Sequence, residues 1–491
     1  MANSTLSILT ALQGKTILVS GCTGYLGKAF LEKLLRYSKD VKKIYLLVRA
    51  PDQAAANARL ADEILHSSAF DLYKSLAPDH FQAAVEKLEA VAGDITLPNL
   101  GIAKKQELQI RSDVNLVINC AASVDFQAPL SESLRSNHGS VVELVALLST
   151  MPNTRLVHVS TCYVCGQRTG LIEEKSWAPK SGGPQLYKRI LAEIAIELSA
   201  LEGKNASGGN GATTTSDGGA AGKRFATRYN FADVYTLTKW LGEQHLFNHA
   251  PALKGRCLIL RPSIIESSFL EPQPGWIEGC KVADPLILLA GSGQMRFFPG
   301  NPRFNLDLIP VDFVVNGIFI GMAQLEGEKP APSEGVPVLQ VASSSTFPLS
   351  LAHIVNYTLQ GFHHRLKFAI IPFFLPLLFI RMFIRGVELW CDLIRRHAPV
   401  KARVMTSDIK LFTKMVDLFS PYTFLNVSFS THNLRQAFDQ LVPTEKQRFP
   451  IEFPKEHWCY YLKNSHIPGL LRWVASCEPK ILKLLKMDKA A

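Results

Sequence analysis

The chain has 491 residues, 47% of them hydrophobic and 19% charged, which exceeds one ordinary core and excludes a disordered or fibrous protein. Its net charge of +11 suits an anionic partner: nucleic acid, a membrane surface or a phosphate-rich substrate such as an acyl-CoA. The nine cysteines, an odd number without paired ligand spacing, exclude a disulfide scaffold and indicate reduced thiols.

The opening MANSTLSILTALQGK has no basic start and no small-residue cleavage pattern, so secretion is not expected. From Lys15 onward, β-branched and apolar runs alternate with helical patterns, the order of a doubly wound parallel α/β sheet. Lys15–Ser20 reads as the first strand, Ala29–Arg36 as a helix and Lys43–Val48 as the second strand. Further strands are expected at Leu88–Ala92, Leu116–Asn119, Leu156–Ser160 and Cys257–Leu260. Gly203–Gly222 is rich in Gly, Ala, Ser and Thr, offers little to bury, and is expected to be a flexible, disordered insertion. A boundary is expected after Val341, dividing a Rossmann-type domain (1–341) from a mainly helical C-terminal domain (342–491).

Between the first strand and its helix stands Gly21-Cys-Thr23-Gly24-Tyr25-Leu26-Gly27. Glycines there permit a tight turn and close approach of a pyrophosphate to a helix N-terminus, so these residues are expected to bind a dinucleotide. The second strand ends in Val48-Arg49 without an acidic residue, and Arg59 follows one short segment later, which favours the 2′-phosphate of NADPH over the free ribose of NADH. Asp94, after the third strand, is placed to touch adenine, or else caps its own loop.

Tyr235-x-x-x-Lys239 puts a phenol and an amine on one helical face, where a cationic lysine is expected to lower the tyrosine pKa and make the phenol a general acid. The fifth strand closes in Ser160-Thr161, hydroxyls able to hydrogen-bond a carbonyl oxygen as it gains negative charge. Thr161 is the first choice and Ser160 the alternative; capping of the strand end is the structural reading of both. Cys162 and Cys165 form a CxxC without a second ligand pair, so strand packing is expected and no metal.

From Gly361 to Lys410 nine Arg/Lys face three acids. These charges flank apolar sequence rather than alternating with stacking aromatics, which favours a membrane surface over nucleic acid. Phe368–Ile380 is a thirteen-residue apolar run broken by Pro372 and Pro376, too short to span and expected to lie in an interface.

Several segments together resemble the alcohol-forming fatty acyl-CoA reductases, a branch of the extended short-chain dehydrogenases. These are KTILVSGCTGYLGKAFLEKLL, VINCAASVDFQAPL, LVHVSTCYV, YTLTK, Leu260-Arg-Pro-Ser-Ile-Ile with Glu271-Pro-Gln-Pro-Gly-Trp276, and Asp307-Leu-Ile-Pro-Val-Asp312. The resemblance covers most of the chain and is looser in the C-terminal third. It implies NADPH as cofactor, a fatty acyl-CoA as substrate, and reduction through a fatty aldehyde to the alcohol. By the same resemblance Gly21, Thr23, Gly24 and Gly27 hold phosphates, Arg49 the 2′-phosphate and Asp94 the adenine. Thr161, Tyr235 and Lys239 are the catalytic trio, and Asn137 relays a water. An aldehyde-releasing thioester reductase and a sterol or nucleotide-sugar dehydrogenase or epimerase remain as alternatives. The expected location is a cytosol-facing membrane, the endoplasmic reticulum or else the peroxisome, and the sequence is compatible with a homo-oligomer.

Overall fold

The computed structural model describes residues 5–37, 39–126, 128–177, 183–206, 215–280, 282–295, 297–327, 335–362, 372–454 and 456–477. Its centre is a sheet of seven parallel strands: β1 (Thr16–Ser20), β2 (Lys43–Arg49), β3 (Leu88–Gly93), β4 (Leu116–Asn119), β5 (Arg155–Val159), β6 (Cys257–Pro262) and β7 (Val338–Val341). Their spatial order is β7-β6-β5-β4-β1-β2-β3, so the winding reverses between β1 and β4. A crevice for a ligand opens at such a reversal, beyond the carboxyl ends of the strands. β1, β4 and β6 are buried along their whole length, as strands covered on both faces must be. Ile17, Val19, Ile118 and Val157 enter one core while Leu18, Val117 and Leu156 enter the other, which is the period of two that a pleated strand imposes.

Helix α1 (Tyr25–Tyr37) leaves the glycine turn and packs Phe30, Leu31, Leu34 and Leu35 against the sheet. Helices α2 (Gly183–Ala206) and α3 (Thr215–Arg228) follow β5, and α4 (Val234–Asn248) precedes β6. The disorder expected for 203–222 is corrected on both flanks, which belong to α2 and α3; residues 207–214 lie outside the described residues. The physical reason is tertiary: Ala221, Phe225 and Ala226 are buried, and a Cβ at Gly222 would lie 2.8 Å from Val234 Cγ2 and 3.3 Å from Leu130 Cβ. Glycine there allows helices to approach rather than keeping them apart.

Residues beyond Val341 share the larger core with the sheet. Phe347, Trp458, Tyr461 and Leu470 are buried in it, and Val427–Phe429 pairs in parallel with Gly170–Ile172. The N-terminal helix Ile8–Leu12 is held by the Glu445 carboxylate, which accepts from the amides of Ile8 (2.7 Å) and Leu9 (3.0 Å). The apolar run expected to lie in an interface divides at Pro376. Phe373–Leu375 is a short strand beside Phe297–Pro299, Leu377 opens helix α5 (Leu377–Ile394), and residues 368–371 lie outside the described residues. α5 packs on α6 (Pro399–Thr423) through Ile380, Ile384, Ile409 and Val416. No helix among the described residues is long and apolar enough to cross a membrane.

Candidate active site

The glycine turn fits a pyrophosphate for a steric reason. Gly21 has φ of 77°, and a Cβ on it would lie 2.6 Å from the Ala121 amide nitrogen in the loop after β4. A Cβ on Gly27 would lie 2.1 Å from the Gly21 carbonyl oxygen, so helix and turn touch backbone to backbone. Gly24, between them, is exposed, and a Cβ there would meet only the Gly21 oxygen at 3.3 Å. Thr23 sits in the same turn, and the amides of the first turn of α1 have no intrahelical acceptor. The Tyr25 side chain is engaged elsewhere: its hydroxyl donates to the Glu266 carbonyl (2.9 Å) and its ring stacks on Trp276. Leu26 packs against the core. Tyr25 and Leu26 therefore leave only their main chain to face a ligand in the turn.

At the exposed end of β2 the Arg49 side chain has no hydrogen-bond or ion-pair partner among the described residues. Arg59 does: it ion-pairs with Glu63 (2.5 Å) and donates to the Arg49 carbonyl (2.6 Å), which anchors the main chain beneath Arg49. Asp94 Oδ1 accepts from the amide (2.8 Å) and hydroxyl (2.7 Å) of Thr96, so it shapes its own loop with one oxygen while Oδ2 has no partner among the described residues.

Tyr235 and Lys239 occupy the first turns of α4, which Asp233 caps by accepting from the Thr236 amide at 2.8 Å. The Lys239 ammonium donates to the Val159 carbonyl at the end of β5 (2.7 Å), and burial lowers its pKa to about 8. The expected lowering of the phenol is corrected. Burial pushes the Tyr235 pKa up, the Asp233 carboxylate adds to this, and the hydroxyl of Thr161 beside the phenol opposes it. Lysine does not dominate because its ammonium is directed to Val159. Thr161 is therefore the hydroxyl that the fold brings to Tyr235, and its Oγ1 is held by the Tyr163 amide (3.3 Å). Ser160 is buried nearby with no hydrogen-bond partner for its hydroxyl.

Asn137 lies in a π-helical turn, Arg135–Gly139, with its amide bonded to both main-chain groups of Ser123 (2.8 and 3.0 Å) and to Thr238 Oγ1 (3.1 Å). Its side chain thus fixes the Ser123 loop against α4. Cys162 and Cys165 form a 3₁₀ turn rather than part of a strand, and their buried thiols donate to the carbonyls of Arg261 (3.0 Å) and Gly166 (3.4 Å).

Sequence reasoning missed the aromatic residues Phe126 and Tyr422 and gave no individual role to Arg261, Glu271 or Asp312. Phe126 approaches Tyr235 with ring centroids 5.6 Å apart, Tyr422 of α6 approaches Phe126 at 6.0 Å, and the Tyr422 hydroxyl donates to Asp233. The C-terminal segment therefore supplies part of the wall around the phenol. Arg261, of the Arg-Pro-Ser motif, forms a fully buried two-point ion pair with Glu243 (2.8 and 2.6 Å), fixing β6 to α4. Glu271 pairs with Lys33 (2.5 Å) and Arg36 (2.8 Å), while the Asp312 carboxylate accepts from the amides of Phe269, Leu270 and Glu271. These motif residues hold the loop over α1 and do not touch Tyr235.

A glycine turn at the reversal of a parallel sheet, bordered by a Tyr-x-x-x-Lys helix, defines an oxidoreductase that uses a nicotinamide cofactor. Residues 19–318 match the male sterility protein family. Over 499 residues the chain is 30% identical to the alcohol-forming fatty acyl-CoA reductase of Simmondsia chinensis, covering 95% of this chain and 99% of that one. It is 29% identical to fatty acyl-CoA reductase 2, chloroplastic, of Arabidopsis thaliana, covering 96% of this chain and 80% of that one. Among solved structures, the terminal R domain of the myxalamid biosynthetic pathway superposes with a TM-score of 0.58 at 18% identity, covering 97% and 95% of the two chains, a likeness of fold. The chain belongs to the male sterility protein family of fatty acyl-CoA reductases.

Proposed function

We propose that the chain reduces a long-chain fatty acyl-CoA to the fatty alcohol through the fatty aldehyde, using two NADPH and two protons and releasing coenzyme A. The observation that carries this reading is the convergence of the Thr161 hydroxyl and the Tyr235 phenol beside Lys239 on a chain alignable over nearly its whole length with an alcohol-forming reductase. NADPH, when bound, supplies hydride. Gly21, Gly24 and Gly27 admit its pyrophosphate, and Arg49 meets its 2′-phosphate.

A phenol held neutral by burial is a proton donor, which suits both halves of the reaction. Facing the thioester carbonyl, Tyr235 and Thr161 donate hydrogen bonds to the oxygen as it becomes an oxyanion, whose collapse expels the thiolate of coenzyme A. Facing the aldehyde, Tyr235 gives up its proton to the nascent alkoxide. Lys239, fixed by the Val159 carbonyl, keeps a positive charge one helical turn away for most of the population below about pH 8. The Tyr422 hydroxyl donates to Asp233, the cap of the helix that carries Tyr235. Neither buried cysteine is needed as a nucleophile, and burial pushes the Cys165 thiol up to about 12.

The reading includes attachment to a cytosol-facing membrane surface through α5, whose outward face is apolar. The test of the chemistry is incubation of purified protein with NADPH and a series of acyl-CoAs, with aldehyde and alcohol quantified separately. Alcohol is expected as the end product. Tyr235→Phe should abolish turnover of both acyl-CoA and added aldehyde, while NADPH binding stays measurable by fluorescence. Retained aldehyde reduction in that variant would place the proton donor elsewhere.

A further inference from the structure

Away from Tyr235, three buried side chains from distant parts of the chain converge. Glu266 ends the short strand Ile264–Glu266, Asp284 opens the helix Asp284–Gly291, and His466 comes from the C-terminal segment. Their exposures are 1%, 3% and 0%. One ligand atom from each lies within 4.8 Å of the others, and His466 Nε2 stands 3.3 Å from Asp284 Oδ1 and 3.6 Å from Glu266 Oε2.

Among the described residues neither carboxylate oxygen of Glu266, nor Nε2 of His466, is paired with a donor from outside the cluster, and no lysine or arginine pairs with Glu266. The protons nearby can be traced. Tyr461 donates its single hydroxyl hydrogen to the Ser267 carbonyl (2.7 Å), so its oxygen accepts from Ser267 Oγ (3.2 Å). With its own hydrogen on Tyr461, Ser267 Oγ is left to accept from His466 Nδ1–H (3.1 Å) in the Nδ1-protonated tautomer. In that tautomer the Nε2 lone pair is turned toward the two carboxylates. Three electron-rich groups facing one another in a dry interior call for a positive charge among them, a metal ion or a proton.

We propose that Glu266, Asp284 and His466 bind a divalent cation of the zinc type. Bonds of about 2.0–2.1 Å in a tetrahedron put neighbouring ligand atoms about 3.3–3.4 Å apart, close to the two separations seen here. One imidazole and two carboxylates suit zinc better than calcium or magnesium, which prefer oxygen alone. Two carboxylates balance the charge of the ion, and Glu266 can supply a second oxygen to close the fourth position. The hydrogen bond from Nδ1 to Ser267 is the outer contact that commonly orients a ligating histidine. The ion would be structural: the Glu266 carbonyl accepts from Tyr25 at the start of α1, so the site clamps the C-terminal segment to the element that positions the glycine turn.

The competing occupant is a proton, because burial and the neighbouring Asp284 push the Glu266 carboxyl well above the usual range. Metal analysis of the full chain, purified without a metal-affinity column, separates the two. About one zinc per chain is expected, with at least a tenfold loss in Glu266→Gln and in His466→Ala. Chelation should lower the melting temperature, and added zinc should restore it. If either variant fails to fold, cobalt substitution of the wild type decides, since a four-coordinate site gives intense visible absorption. Wild-type protein that carries no metal, takes up no cobalt and melts identically with chelator or zinc overturns the proposal.

Discussion

Arg49 shows how much one side chain at a strand end can decide. Its guanidinium is exposed, while Arg59 is tied to Glu63 and to the Arg49 carbonyl, so of the two it is Arg49 that the proposed contact with a 2′-phosphate rests on. Arg49→Asp should raise the Michaelis constant for NADPH by about tenfold or more and leave that for NADH nearly unchanged. Equal losses with both cofactors in steady-state assays would remove Arg49 from this role. Arg49 and the glycine turn are legible in sequence because their chemistry is local: a strand, a turn and a helix lie within forty residues. The state of Tyr235 is not local. Four-residue spacing predicts that Lys239 lowers the phenol, yet the pKa is set by burial and by Asp233, and the lysine is claimed by a carbonyl from β5. Tyr422 was invisible for the same reason, since 189 residues separate it from the aspartate it contacts.

At the scale of elements, α2 and α4 meet through titratable groups that only the fold assembles. His138 Nε2 lies 2.9 Å from the Tyr187 hydroxyl, which lies 3.1 Å from His245 Nδ1. Burial lowers the pKa of His138 from the usual 6.5 to about 4, and burial, His249 and His138 do the same to His245. Between about pH 6.5 and 4 the unfolded chain therefore binds protons that the folded chain refuses, so stability falls as pH falls through this window. Glu174 works in the opposite direction, because burial raises its carboxyl to about 7 and the folded chain takes up that proton early. The informative measurement is thus a comparison. The double variant His138→Gln, His245→Gln should lose several degrees less of melting temperature than wild type between pH 6.5 and 4.5. Parallel melting profiles would show that these histidines are not the acid-sensitive contact. Element types along the sheet followed from apolar periodicity, whereas the helix after residue 214 is packed through Gly222 against Val234 and Leu130, contacts that periodicity does not report.

For the whole molecule, the proposed membrane attachment turns on α5. At about 100° per residue, Ile380, Ile384 and Cys391 form one stripe, and they are buried. Leu378, Met382, Leu389 and Leu393 fall on the opposite side and are 57–68% exposed, with Phe379 and Trp390 beside them at 55% and 53%. A helix apolar on two faces, one of them bare and neighboured by Arg381, Arg385 and Arg396, has the composition of a surface-lying membrane helix. Phe374 and Leu377, which the sequence placed in the same apolar run, instead pack inward against Phe298 and the α5–α6 contact. The proposed attachment is thus carried by residues after Leu377, and its test must spare the inward ones. Each large side chain buried in an interface contributes about 1.5–3 kcal/mol, and each basic residue near anionic lipid about 1 kcal/mol. Wild type should therefore sediment with vesicles containing anionic lipid, less so at high salt. Replacing Leu378, Met382, Leu389 and Leu393 together by serine should move most of the protein to the supernatant, because four anchors are lost. Turnover of a short, water-soluble acyl-CoA should persist, since none of the four belongs to the core that holds Tyr235. Wild type that never sediments with such vesicles, or a variant that sediments as wild type does, would exclude this face as the attachment surface.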